Sequence, residues 1–457
     1  MRSTRTLAAL AAALALAGCS LMPKYERPAA PVPAAFPYPA APEGTPAAEL
    51  PWQRFFADER LRGLIATALR NNRDLRVAVL NIAQARAQYD IRNADRLPTV
   101  AGTVSASRAP NPQGHEANLF SANLGASSWE IDFFGRIASL SEAALAQYLA
   151  TEEGRNAAQM TLVASVASTW LNLAADEELL ALTRQTLATR EESLRLTRLR
   201  FDNGASSEID FRLAQSLVET ARATLAQQQR QRATDLNALA LLVGGPVPPQ
   251  YEVGVTTEAV RLPDVPAGVP SDVLARRPDV RQAEQQLVAA NANIGAARAA
   301  FFPRIALTAG VGTASPELSG LFSGGSWGYT VAPSLVQTIF DAGRNRANLR
   351  SAEVARDIAV AQYERSIQQA FRDVADALAG RATFGEQVRA QAGVVEAETA
   401  RLRLARLRYD NGVASYLDLL DAQRSLYGAQ QGLVQARLAR LQNQVQLYRS
   451  LGGGWNP

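Results

Sequence analysis

The sequence predicts a mainly α fold with a smaller set of membrane β-strands, built as one structural unit written twice. Three observations predict it: an internal repeat in constant register, helical stretches too long for a compact domain, and paired segments that alternate with period two. The repeat is the firmest. Leu199-Arg200-Phe201-Asp202-Asn203-Gly204 matches Leu407-Arg408-Tyr409-Asp410-Asn411-Gly412, 208 residues further on. Gly135-Arg136 matches Gly343-Arg344, and Val243-Gly244-Gly245 matches Leu451-Gly452-Gly453, at the same spacing of 208. Upstream, Asp74 pairs with Asp279 and Pro98 with Pro303 at a spacing of 205. The discrepancy falls in the intervening segment, where a loop tolerates it. Self-similarity at a fixed spacing marks a repeated supersecondary unit.

Each half has the same order of elements. A helix of moderate length comes first, Asn72 to Leu97 and Ala275 to Phe302. A region without helical period follows, Pro98 to Ile131 and Pro303 to Ile339. Next come very long helical stretches, Arg136 to Phe201 and Arg344 to Tyr409. At 1.5 Å rise per residue each is about 100 Å long, which suits a rod or tube. Both carry heptad ladders, Leu180/Leu187/Leu194/Phe201 and Val388/Val395/Leu402/Tyr409. Sevenfold spacing means helices packed side by side as coiled coils. An Asp-Asn-Gly turn ends each, because Asn and Gly tolerate positive φ. Return helices follow, Ser207 to Leu242 and Ser415 to Ser450, with shorter ladders Val218/Leu225 and Leu426/Leu433.

The aperiodic regions read as strand pairs. Ile305, Leu307, Ala309 and Val311 alternate with Arg304, Ala306, Thr308 and Gly310; Val100, Gly102 and Val104 alternate with Thr99, Ala101, Thr103 and Ser105. Aromatics near their ends, Trp129, Phe133, Phe134, Phe301, Phe302, Trp327 and Tyr329, suit interfacial girdles. Four strands cannot close a barrel, and lipid does not tolerate an open sheet edge. The chain must therefore oligomerise, and strand count alone allows a dimer of eight, a trimer of twelve or a tetramer of sixteen.

The N-terminus reads as a targeting segment. Arg2 and Arg5 precede an apolar run, Leu7 to Ala17, too short to span a bilayer. It ends in Leu16-Ala17-Gly18-Cys19, a lipobox, and Cys19 is the only cysteine, which excludes an intramolecular disulfide. Cleavage would leave an acylated Cys19, a covalent lipid and the only expected prosthetic group; Ser20 beside it fits export to the outer membrane. The expected division is a signal peptide over 1–18, a Pro/Ala-rich tether over 19–51, a first repeat over 52–244, a linker over 245–274, and a second repeat with the tail over 275–457.

Composition excludes several classes. The charges, 47 basic against 43 acidic, are interspersed along helices, as on solvated faces and not as in a nucleic-acid site. The single histidine, His115, lies in Asn111-Pro112-Gln113-Gly114-His115-Glu116, a surface hairpin loop. One histidine and one acylated cysteine leave no nucleophilic triad and no zinc site. Neither Gly310-Val311-Gly312 nor Gly324-Gly325 sits between a strand and a helix N-terminus, so neither is a phosphate loop. No catalytic residue, metal or further cofactor is expected, and no nucleic-acid partner.

Two segments carry a family resemblance. Arg276-Arg277-Pro278-Asp279-Val280-Arg281, continuing through Ala283-Glu284, Leu287, Ala289-Ala290, Ile294-Gly295 and Ala297-Arg298-Ala299 to Phe301-Phe302-Pro303, is one; Leu420-Asp421-Ala422-Gln423-Arg424-Ser425-Leu426 is the other. With these, the chain from Cys19 onward resembles the TolC-like outer-membrane efflux factors. It is most similar to their lipoprotein branch, which serves resistance–nodulation–division pumps.

The resemblance implies a homotrimer: a twelve-stranded β-barrel in the outer membrane, continued by a twelve-helix α-barrel through the periplasm. An equatorial region would form from about Trp52 to Arg70, Gly245 to Asp272 and the tail. Its partners would be a periplasmic adaptor, an inner-membrane pump and outer-membrane lipid. The work would be export of drugs or other small toxic compounds. Protein export by a type I secretion duct uses the same fold. A periplasmic coiled-coil scaffold fits less well, since it would need neither the duplicated hairpins nor the strand pairs.

Asp418 and Asp421 share a helix face after the second tip turn, and the resemblance places them at the periplasmic aperture, with Asp210 matching Asp418. Three copies would make rings of negative charge that favour cations. A plainer role, capping the helix start, stands beside that one. Some relatives carry an arginine latch where this chain has Ala414, so closure is expected to rest on packing around Tyr409 and Tyr416 and on the aspartates. The tip turns Gly204-Ala205-Ser206 and Gly412-Val413-Ala414 resemble the family's adaptor-docking grooves, though small residues also suit a turn.

Overall fold

The computed structural model describes residues 20–38, 45–110, 116–248, 256–268 and 270–456; the lipobox Cys19 and the loop His115 lie outside them. In the first repeat the elements are α1 (Trp52–Phe55), α2 (Glu59–Asn71), α3 (Arg73–Ala94), β1 (Val100–Pro110), β2 (Glu116–Ile131), α4 (Arg136–Asp202) and α5 (Glu208–Val243). In the second they are α6 (Pro270–Arg276), α7 (Pro278–Ala299), β3 (Arg304–Ser315), β4 (Trp327–Val336), α8 (Arg344–Asp410) and α9 (Tyr416–Ser450). A short 3-10 turn, Ala47–Glu49, lies in the stretch expected as tether.

The long helices α4 and α8 are 67 residues each. Their heptad ladders sit on the packed side. Val388, Val395, Leu402 and Tyr409 are half-buried, whereas Leu404 and Leu407, off the ladder, are exposed. The moderate helix of the second half is not continuous from Ala275 to Phe302. It breaks between α6 and α7, because Pro278 has no N–H to give and pushes Arg277 before it out of the helical region. The first half breaks at the matching place, Asn72, between α2 and α3.

The chain divides into two compact units. One comprises Met1–Ala29, Leu80–Glu153 and Arg281–Arg365, the other Ala30–Val79, Gly154–Val280 and Ser366–Pro457. The first holds a four-stranded antiparallel sheet in the order β1-β2-β3-β4. At its base Glu130 is clasped by Arg136 and Arg304, at 2.7 and 2.6 Å, and Phe134 stacks on Phe302 at 4.7 Å. The segment after Ser20 is strapped onto α7. Arg27 donates to Glu284 at 2.7 and 2.8 Å, Tyr25 at 3.0 Å, and Asn291 donates to the Pro23 carbonyl at 2.7 Å.

The second unit holds the main apolar core. Trp52, Phe55, Phe56, Leu61, Leu64 and Ile65 are buried against Val260, Val265, Tyr448 and Leu451. Phe55 stacks on Tyr448 with centroids 4.0 Å apart. The stretches expected to form an equatorial region thus share one core, near the breaks after α2 and α6. Asn72 donates from Nδ2 to the Leu242 carbonyl near the end of α5, at 2.9 Å. Arg277 donates to the Ser450 carbonyl at the end of α9, at 2.9 Å. Leu242 and Ser450 are 208 residues apart, and Asn72 and Arg277 205, so the two repeats make the same tether with different side chains.

Candidate functional site

Two surfaces are candidates for a functional site: the faces of the sheet and the tips of the helical hairpins. Strand pairing places residues in rows across the sheet, because paired residues share a face. Ala101, Gly125, Gly310 and Thr330 form one row, and Thr103, Asn123, Gly312 and Gly328 the next of the same parity. The opposite parity gives Gly102, Leu124, Val311 and Tyr329, then Val100, Ala126, Ala309 and Val331. One face is therefore small and uncharged in these rows, while the other is apolar and exposed at Leu124, Val311, Tyr329 and Val331. β2 and β3 approach closely at the glycine row. A Cβ on Gly125 would lie 2.5 Å from Gly310 Cα, so no larger residue fits there. The alternation read from Ile305 to Val311 matches these two faces. Trp327 and Tyr329 are exposed toward one end of the sheet, Phe301 and Phe302 partly exposed beyond the other.

Among the described residues no helix is long and apolar enough to cross a membrane.

The hairpin tips are built locally. Gly204 and Gly412 adopt φ of 71° and 69°. The amides of Ala205 and Val413 reach back to the Arg200 and Arg408 carbonyls, at 2.8 and 2.9 Å, closing the helix ends. The glycines are thus required by the turn itself. Ser207 and Ser415 then start the return helices with capping boxes. Each hydroxyl accepts from the Asp210 or Asp418 amide and donates to Oδ2 of the same aspartate at 2.8 Å. Asp210 and Asp418 therefore serve as N3 partners of the caps.

Asp421 is different. Arg401 on α8 donates to its Oδ2 at 2.5 Å and Arg424 on α9 to its Oδ1 at 2.8 Å. These guanidiniums, Arg401 foremost, hold the Asp421 carboxyl below the ordinary carboxylate range. Asp421 thus has arginine partners that do not come from the tip turn. Ala414 carries no latch, but Arg401 and Arg424 reach Asp421 from elsewhere. Sequence reading missed Arg401 because its partner lies 20 residues away on another helix; Arg424, at i+3 from Asp421, was legible from helical spacing.

Tyr409 and Tyr416 meet with centroids 5.5 Å apart. The Arg200 guanidinium donates to the Tyr409 hydroxyl at 2.5 Å, and the Tyr416 and Ser193 hydroxyls share a hydrogen bond of 2.8 Å. Tyr416, Leu419, Leu420 and Ala214 form a small buried cluster with Leu194, Leu402 and Tyr409 against it. Of the tip residues, Gly204, Ala205, Gly412 and Val413 are exposed, while Ser206 and Ala414 are half-buried.

The family model described as "Outer membrane efflux protein" matches residues 64–245 and 269–453, once in each repeat. The antibiotic efflux pump outer membrane protein ArpC of Pseudomonas putida is 47% identical over 465 residues, covering 99% of this chain and 96% of that one. The toluene efflux pump outer membrane protein TtgC of Pseudomonas putida matches to the same extent, 47% over 465 residues with 99% and 96% covered. Among solved structures, the open state of the Neisseria gonorrhoeae MtrE outer membrane channel superposes with a TM-score of 0.89 at 41% identity, covering 96% of this chain and 99% of that one. The small-faced sheet, the paired long hairpins and these likenesses point one way: the chain belongs to the outer membrane efflux protein family and is a conduit, not an enzyme.

Proposed function

We propose that this chain is the exit duct of a tripartite resistance–nodulation–division efflux system, passing drugs, solvents or other small toxic compounds out through the outer membrane. The observation that carries the quaternary part is the sheet: β1 and β4 are its edges, and its two faces differ in chemistry. Unpaired edges in lipid are too costly to leave open. Three copies joined edge to edge give twelve strands, with the apolar face toward lipid and the small face toward the lumen. The same three copies bring twelve long helices, α4, α5, α8 and α9 from each, into a periplasmic tunnel. An acyl chain on Cys19 anchors the assembly beside the barrel. Antibiotic and toluene efflux in the names of the two Pseudomonas relatives supports small toxic compounds as the cargo.

In this reading the gate is the ring of α9 starts. Asp421, held by Arg401 and Arg424, with Tyr409 packed on Tyr416, closes the aperture, and Asp210 and Asp418 shape the turns that carry it. The exposed tips 204–206 and 412–414 receive the adaptor. Because Gly412 is committed to a positive φ, Ala205→Trp and Val413→Trp are the cleaner probes of docking. Both should block transport while the trimer still assembles.

A deletion strain compared with its complemented parent tests the whole reading. Dyes, antibiotics and solvents should accumulate in the deletion and clear on complementation. Unchanged accumulation with loss of a protein from the medium would replace drug efflux by type I secretion.

A further inference from the structure

The two hairpins differ at one matched position in their middle. In the first, Arg232 on α5 pairs with Glu177 on α4, both partly buried. Adding the repeat spacing of 208 turns Arg232 into Arg440 and Glu177 into Gly385. The second hairpin has kept the cation and lost the carboxylate. Arg440 makes no ion pair or hydrogen bond among the described residues. A Cβ on Gly385 would meet nothing within 4 Å, because a cavity of about 500 Å³ opens there. Its wall is formed by Arg440, Gly385, Arg381, Asp264, Asn443 and Gln444.

The other polar groups of the wall are largely committed. Asp264 is answered by Arg381 at 3.3 Å, and Asn443 donates to the Ala377 carbonyl at 2.9 Å. Gln444 is the exception: its Oε1 is buried without a partner. The cavity thus offers one uncommitted guanidinium, Arg440, beside open space at Gly385 where the sister repeat has a carboxylate. Its volume falls in the range of small-molecule sites, about 300–1,000 Å³.

We propose that this cleft between α8 and α9 is a binding site for a soluble carboxylate of the size of an acidic amino acid or short acidic peptide. The ligand carboxylate takes the place of the missing Glu177 counterpart against Arg440. The site does not need the export reading, but it needs the cleft to stay open when three copies assemble.

The test is calorimetric titration of the purified full chain in detergent with the dipeptide alanyl-glutamate. Saturable binding is expected. Arg440→Gln should weaken it about tenfold or more, the usual loss for a charge-assisted hydrogen bond. Gly385→Glu should abolish it, because the variant restores the internal ion pair of the first hairpin. Both variants should fold, since Arg440 is exposed and Glu is a better helix former than Gly. No saturable binding by the unmodified chain at millimolar dipeptide overturns the proposal. Binding that both variants leave unchanged overturns it equally. Absence of binding together with loss of the oligomer in Arg440→Gln would assign the cavity to a carboxylate of a second copy, and the soluble ligand falls.

Discussion

The two repeats hold the same backbone by different chemistry. After α2, neutral Asn72 caps Leu75 with its Oδ1 and ties to Leu242 with its Nδ2. After α6, buried Arg277 ties to Ser450 and is flanked by Asp279 at 2.7 Å and Asp373 at 3.5 Å. At the tips the capping boxes are alike, but the second hairpin adds Arg401, Asp421 and Arg424 where the first has Ser193, Leu213 and Ser216. Midway, Asp176, Glu177 and Arg232 stand opposite Phe384, Gly385 and Arg440. Elements that define geometry were kept through the duplication. Elements that carry charge diverged: the tip gained Arg401, Asp421 and Arg424 together, while midway the cation stayed as Arg440 and only its carboxylate was lost.

The largest expected effect comes from breaking the ionic tether. Arg277→Ala strands Asp279 and Asp373 and leaves the Ser450 carbonyl unpaired, so it should cost about 3–5 kcal/mol. Asn72→Ala, its neutral counterpart, should cost about 1–3 kcal/mol. Denaturant unfolding of both variants side by side checks the ranking; equal losses would mean that the charge adds nothing to the tether.

At the tips, only the second hairpin has an aspartate held by two arginines. Asp421→Ala should raise single-channel conductance in planar bilayers, because Arg401 then keeps only its hydrogen bond to Ser425 on α9. Ser216→Ala, in the first hairpin at the place matching Arg424, should leave conductance unchanged. A silent Asp421→Ala would remove the gate assignment.

The carboxyl of Asp176 is pushed up to about 7, by burial first, then by the hydrogen bond and charge of Asp235 and by the charge of Glu177, with Arg232 opposing. The folded chain therefore keeps a proton that the unfolded chain releases, across the window from the usual 3.8 up to about 7. Stability should fall as pH rises through that window and reach its floor above it. Asp176→Asn should flatten this slope and melt higher than the unmodified chain at pH 8, about the same at pH 4, in thermal scans at the two values. Phe384 gives the second hairpin no such dependence.

The smallest effect is at the caps. Ser207→Ala and Ser415→Ala should each cost about 1 kcal/mol, equally, since the two boxes have the same geometry. Unequal losses would show that the second tip draws extra support from the Asp421 pairs.

The duplication, the lengths of the two long helices, the turns at Gly204 and Gly412 and the packed stripe of each heptad ladder were written in the sequence. These are local matters of period and φ preference, legible within a few residues of each position. Pro278 also marks the break at Arg277, because a proline pushes the residue before it out of the helical region. Tertiary structure alone decided which side chains answer one another: Arg401 with Asp421, Arg200 with Tyr409, Ser193 with Tyr416, Arg277 with Ser450. The partners in those pairs lie from 20 to 223 residues apart. Helical period says which face a residue lies on, but not which residue of a distant helix is brought to that face. The unanswered Arg440 was hidden for the same reason, because an absent partner shows only once the space where it would stand has been found open.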